Sequence, residues 1–344
     1  EIKECDWSSD VCSSDLEPAG NGGARGGTAF FKSVFDAQES MIFGIFVLFC
    51  VVLSIIAPNF LTGRNISNVV RQFSMITIVA VGMTFVIITG GIDLSVGGIV
   101  AFVGVSVSWL IVRVNMPIWA AILVGVCMGS FLGYVNSLLI VRVNLPPFIA
   151  TLGMMQVSRG LVLALTKGYP IRPFPERFLE IGHGQLWVIP IPIIIMAVVI
   201  IVAHLFLSKT TMGRYIYYVG SNREAAELSG IKVRKVLSLA YVLAGFMSSI
   251  AAIILTARLS SAQSNMGEGW ELDAIAAVVI GGASLSGGEG SIIGTLIGAA
   301  LMGVIRNALI LLHVSAYWQT VVIGCVIIAA VTIDQMRQKK KKVH

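Results

Sequence analysis

Apolar residues in this chain collect into long runs, and polar residues into the gaps between them. A run of about 18 or more apolar residues can cross the hydrocarbon core of a bilayer as a helix. The pattern predicts ten membrane segments, near 41–57, 68–89, 94–112, 117–141, 146–165, 187–207, 237–257, 271–286, 291–312 and 316–333. The fifth and eighth are the weakest runs. An even number of crossings puts both termini on one side of the membrane. The gaps sharing that side hold roughly twice as many Lys and Arg as the others, which predicts cytoplasmic termini. The expectation is therefore an all-α polytopic membrane protein of about ten transmembrane helices, with both termini cytoplasmic.

Composition agrees with the pattern. The 344 residues are 56% hydrophobic and only 12% charged, about half the charged share of a soluble domain. The net charge of +6 sits in gaps and in "RQKKKK" (Arg337–Lys342), next to predicted spans. Charge placed there sets topology and favours anionic lipid. It does not read as a nucleic-acid surface, and no nucleic-acid partner is expected. The membrane domain is expected over 41–334, interrupted by a polar loop at 208–236 and followed by a basic cytoplasmic tail at 335–344.

The first sixteen residues, "EIKECDWSSDVCSSDL", repeat themselves and lack the basic-then-apolar layout of a signal peptide. They read as translated sequencing-adapter sequence, a non-native artefact outside the functional argument. Residues 17–40, with "AGNGGARGG", read as a flexible cytoplasmic tail.

Much chemistry is missing. No Gly-x-x-x-x-Gly-Lys-Ser/Thr phosphate loop, no HExxH and no nucleophile elbow occurs. The five cysteines show no paired metal spacing, and the four histidines are scattered. No catalytic residue, no metal site and no cofactor is expected in this chain. An ion-coupled carrier binds its ion with ionisable groups at depth. The candidates are Asp93, Arg159 and Arg306, with no deep acidic partner in view. Active transport would then draw its energy from another subunit. A gradient-driven carrier and a passive facilitator are the alternatives.

Asp93 is the only charged residue between Arg71 and Arg113, in "TGGIDLSVGG" (Thr89–Gly98). Its placement reads as a helix break at or just inside the cytoplasmic face. Asp93 or Ser95 would cap the amides of the next helix. The sharper reading is an unwound stretch lining a polar path. "GGASLSGGEG" (Gly281–Gly290) partly echoes this motif, with Ser284 in the place of Asp93. Glu271 and Asp273, in "GWELDAI", read as first-turn acids matched to a helix dipole, or else as solute contacts. Asn136 and Asn307 read as amides bridging helices, or else as path-lining groups. Gly125, Gly129 and Gly133, spaced by four, and Gly294 with Gly298 predict close helix packing. Short polar side chains such as Ser106, Ser108, Thr151, Ser248 and Thr256 would suit a neutral, hydroxylated solute.

The loop at 208–236 contains "NREAAELSG" (Asn222–Gly230). It predicts a short helix, capped by Ser221 or Asn222 and stopped by Gly230 in a left-handed conformation. This stretch resembles the coupling loop of ABC importer permeases, whose EAA…G element docks on an ATPase. The match is closest to the permeases for ribose, xylose and related monosaccharides. It is carried by Thr89–Gly98, "VNSLLIVRVNLPPFIATLGMMQVSRGL" (Val135–Leu161), Gly213–Ile231 and Ala257–Asn307, and it covers about residues 40–334.

The resemblance implies a bundle of about ten helices in the bacterial inner membrane, with two permease copies forming the pore. It implies coupling positions at Glu224, Ala225, Ala226 and Gly230. It also implies a separate ATP-binding subunit with tandem nucleotide domains, holding ATP and Mg, and a periplasmic or extracellular sugar-binding protein. A nucleoside or a signalling furanose remains an alternative solute. Two places depart from the family pattern: Arg306-Asn307-Ala308 replaces an expected asparagine and then a glycine, and Ser264-Asn265 replaces a proline region.

Overall fold

The computed structural model describes residues 37–57 and 59–343, with side chains described from 39 to 336. The expected artefact at 1–16 lies outside the described residues, as does 17–36 of the expected tail. The first helix, α1 (Ala37–Ile56), begins inside that tail stretch.

Each of the ten predicted segments contains a helix. Eight are long and apolar enough to cross a membrane among the described residues: α1, α2 (Gly63–Ile88), α4 (Ile118–Val141), α5 (Pro147–Thr166), α7 (Ile191–Lys209), α10 (Val233–Leu259), α12 (Ile292–Leu311) and the start of α13 (Ala316–Val343). Two are shorter, α3 (Val96–Val112) and α11 (Trp270–Ile280). At about 1.5 Å per residue, α11 rises only about 16 Å, half of a bilayer core. The eighth segment is thus a half-length helix, because the chain stays irregular through 260–269 and breaks again at Gly281.

The gaps hold α6 (Glu176–His183), a small hairpin of β1 (Gln185–Leu186) and β2 (Ile189–Pro190), and the loop helices α8 (Thr211–Ser221) and α9 (Arg223–Leu228). Trp187 stands at the hairpin tip, almost fully exposed. The basic end of the chain continues α13 as helix to Val343.

Burial sorts the helices into a centre and a rim. The second half of α2 is buried without a break from Ser74 to Ile88, and α3 from Val96 to Ser108. A helix apolar all round belongs inside, and α2, α3, α10 and α11 form that inside. The rim helices bury one stripe each. On α4 the stripe is Ala121, Gly125, Gly129, Gly133, Asn136, Ser137 and Ile140.

The glycine spacing on α4 does what it predicts. Gly125 abuts Val107 of α3, Gly129 abuts Gly245 and Ser249 of α10, and Gly133 abuts the Tyr241 carbonyl. Gly294 and Gly298 let α12 approach the backbone of α11 in the same way. Apolar burial gives little drive for helix association in lipid, so backbone approach and interhelical hydrogen bonds do more of this work.

Candidate functional site

Local chemistry builds the loop helix α9. The Asn222 side chain accepts the Ala225 amide at 3.0 Å, which caps its start. Gly230 stops it with φ +81°. The Gly230 amide bonds to the Glu227 carbonyl, and the Ile231 amide to that of Ala226. This 5→2 and 6→1 pair is a Schellman stop. Ala226 is buried and fixes the helix to the chain, while Glu224, Ala225, Glu227 and Gly230 are exposed. Leu228 is 91% exposed, an apolar knob with no partner surface in this chain. The four coupling candidates therefore share a turn and a half: Ala226 faces in, the other three outward.

The α2–α3 connection is an interrupted helix. α2 ends in the same Schellman pattern, with Gly91 N–H on the Val86 carbonyl and Gly90 N–H on that of Ile87. Gly90 takes φ +77°. The chain then runs irregularly to Ser95. Gly90 touches the loop at Gly287, whereas Gly97 faces Gly267 and the Glu271 carboxyl at the start of α11. Asp93 lies between these levels and is wholly buried. It stands in the helix break that the sequence predicts, three residues before α3 starts.

Asp93 Oδ1 accepts the Ser95 amide at 2.8 Å and the Ser95 hydroxyl at 2.6 Å. Asn136 of α4 donates to the Ser95 hydroxyl at 2.7 Å. Ser95 itself makes no side-chain cap bond to α3. Of the two capping candidates, only Asp93 satisfies an amide, and Asn136 bridges α4 to the break. Asp93 Oδ2, Asn136 Oδ1 and the Tyr241 hydroxyl are buried without a hydrogen-bond partner. A side chain at Gly91 would strike that tyrosine hydroxyl. Buried polar atoms are seldom left unpaired, and capping alone leaves three unused here. The group thus holds a carboxylate oxygen, an amide oxygen and a phenol, all buried and unpaired.

Glu271 and Asp273 do sit in the first turn of α11. Asp273 is buried and takes Arg306 of α12 at 2.6 and 2.8 Å. Arg306 therefore has a buried acidic partner that the sequence did not reveal. Glu271 is half-buried, with Oε2 unpaired against Gly97. Asn307 and Asn65 of α2 exchange two amide bonds, at 2.8 and 3.0 Å. Arg306 and Asn307 thus pin α12 to α11 and to α2 from adjacent positions.

Sequence reasoning missed Tyr217, Gly220 and Tyr241. The first two lie in the loop, where glycine and tyrosine carry no periodic signal; the third sits inside an apolar run. Among the described residues no group of His, Cys, Asp and Glu could hold a metal ion.

A family profile described as "Branched-chain amino acid transport system / permease component" matches residues 65–331. The ribose import permease RbsC of Bacillus subtilis is 47% identical over 86% of this chain and 91% of its own length. That of Escherichia coli K12 is 42% identical over 91% of this chain and 98% of its own length. The L-arabinose transport permease AraH of the same organism is 33% identical, covering 96% of this chain and 99% of itself. No solved structure matches.

Proposed function

Because the chain belongs to this permease-component family, we propose that it is the membrane subunit of an ATP-driven, binding-protein-dependent importer of ribose or a related monosaccharide. The observation that carries this reading is the near full-length identity to ribose permeases. Two copies form the pore in the bacterial inner membrane, with termini and α9 cytoplasmic. A periplasmic or extracellular binding protein delivers the sugar. A subunit with tandem nucleotide domains binds ATP and Mg and receives α9 in a cleft.

The geometry fits this division of labour. The outward face of α9 combines two carboxylates, one arginine, one small residue and one bare leucine, suited to a shaped apolar cleft with a charged rim. A shallow seat needs Ala225 to stay small. The unpaired oxygens around Asp93 give a passing sugar weak, replaceable hydrogen bonds, which favour release over retention. Specific affinity then resides in the binding protein.

The test is uptake of a panel of radiolabelled sugars by vesicles holding the permease, its ATPase and its binding protein. Ribose or a close pentose accumulates only with ATP inside. Accumulation of a nucleoside, with no sugar accumulating, would move the solute assignment and leave the importer class. Accumulation driven by an ion gradient without ATP would remove the class itself.

A further inference from the structure

Three segments meet at one carbonyl. Gly220 closes α8 against the end of α2, so tightly that a Cβ there would overlap the Ile88 carbonyl oxygen. The same oxygen accepts the Gly288 amide at 2.8 Å. A Cβ at Gly287 would lie 2.8 Å from the Gly220 oxygen and 2.9 Å from the Gly90 nitrogen, and one at Gly288 would press on Ser221. One turn earlier, Tyr217 donates its hydroxyl to the Gly290 carbonyl at 2.7 Å. Gly90, Gly287 and Gly288 have φ of +77°, +86° and +79°, so a side chain there is excluded by conformation as well as by space.

These contacts join the two motifs that echo each other, "GGIDLS" and "GGASLS", and both rest on the last residues before α9. Side chains at an interface change rotamer and absorb small displacements. This joint is backbone against backbone, and it has no rotamer to change. The Asn222 amide bonds to the Tyr218 carbonyl and so continues the hydrogen bonding of α8 up to the cap of α9. A displacement of α9 therefore reaches the end of α2 and the loop before α12 at the same time.

Resting on the importer reading above, we propose that Gly220, Gly287 and Gly288 form a rigid joint through which the docking helix positions both interrupted hairpins during transport. Gly220 is a positioning residue: it touches neither ATP nor solute. It sets how much of the ATPase stroke arrives at the Asp93 stretch. A residue that served only packing would, when replaced, lower the amount or stability of the complex. A residue of the joint also lowers the ratio of solute moved to ATP hydrolysed.

The experiment uses the complete transporter in proteoliposomes and reads three quantities: ATPase retained on the permease in a pull-down, ATP hydrolysed, and ribose taken up. Gly220→Ala is expected to keep the ATPase bound and to lower uptake per ATP by about tenfold, the scale of a typical coupling free energy. Gly153→Ala, where a Cβ meets open space, is expected to match wild type in all three. Should Gly220→Ala fail to assemble, Tyr217→Phe carries the test, since it keeps the ring and removes the hydroxyl that bonds to Gly290; it is expected to lower uptake per ATP by a smaller factor. Wild-type uptake per ATP in assembled Gly220→Ala, or in Tyr217→Phe, overturns the joint. Wild-type chain that shows no ATP-driven uptake overturns the importer reading instead, so the two failures are distinct.

Discussion

The α2–α3 connection and the α11–α12 connection solve one backbone problem with different side chains. Each follows a helix that ends in paired 5→2 and 6→1 bonds around a glycine of positive φ, Gly90 in one and Gly282 in the other. In each, a side-chain oxygen then accepts the amide two residues on: Asp93 from Ser95 at 2.8 Å, Ser284 from Ser286 at 3.2 Å. Such a local bond mimics a backbone turn. Serine is sufficient for it, as the second connection demonstrates. A carboxylate at Asp93 costs desolvation that a hydroxyl would not, and its second oxygen has no partner. The difference teaches that the turn explains an oxygen at position 93 but not a charge.

The strongest way to break the comparison is to remove the drive common to both connections. Glu224→Lys with Gly230→Pro reverses the exposed charge on α9 and forbids its left-handed stop. Membrane insertion is expected to persist while ATPase capture in a pull-down disappears; captured ATPase would show that docking lies elsewhere.

Next in size is the support under the second connection. Asp273→Leu leaves Arg306 without its bidentate partner in a largely buried place. Loss of one member of a buried pair typically costs about 3 kcal/mol or more, and the partial exposure of Arg306 argues for the low end. Thermal melting in detergent reads this directly. Asp273→Leu with Arg306→Leu should recover most of the loss, and a double variant no better than the single would deny that the pair is the cause.

Asp93→Ser places the residue of the second connection into the first. The turn bond survives, so expression and melting are expected within about 1 kcal/mol of wild type, the worth of one ordinary hydrogen bond. Uptake is expected to fall several-fold, because the orphaned oxygen is gone. Undiminished uptake would assign Asp93 to the turn alone. The smallest effect is expected from Asn307→Leu, which removes the amide exchange with Asn65. Interhelical bonds of this type are worth about 0.6 kcal/mol on average in a membrane, so only the melting temperature should move.

The legible features were the local ones. An asparagine cap, six good helix formers and a glycine stop define α9 within nine residues, and the structure forms it there. The membrane segments were legible because apolar length is itself the signal. The start of α3 was legible to within two residues, but the early end of α11 was not, since the apolar run was read on through "GGASLS" past Gly281. Distance hid the rest. Asp273 and Arg306 stand on different helices, and Asn307 finds its partner 242 positions away. Nothing in either neighbourhood marks the other. Gly220 gave no signal at all: nothing in a polar loop marks the glycine at which two backbones touch.

The central claim is that this chain is a conduit whose motor is elsewhere and reaches it through α9. The direct measurement is ribose accumulation in sealed proteoliposomes containing the purified chain, with and without the tandem ATPase subunit and the binding protein. The account predicts no accumulation from the chain alone, whatever ion gradient is imposed, and ATP-dependent accumulation once both partners are present. Accumulation against a concentration gradient by the chain alone would contradict it.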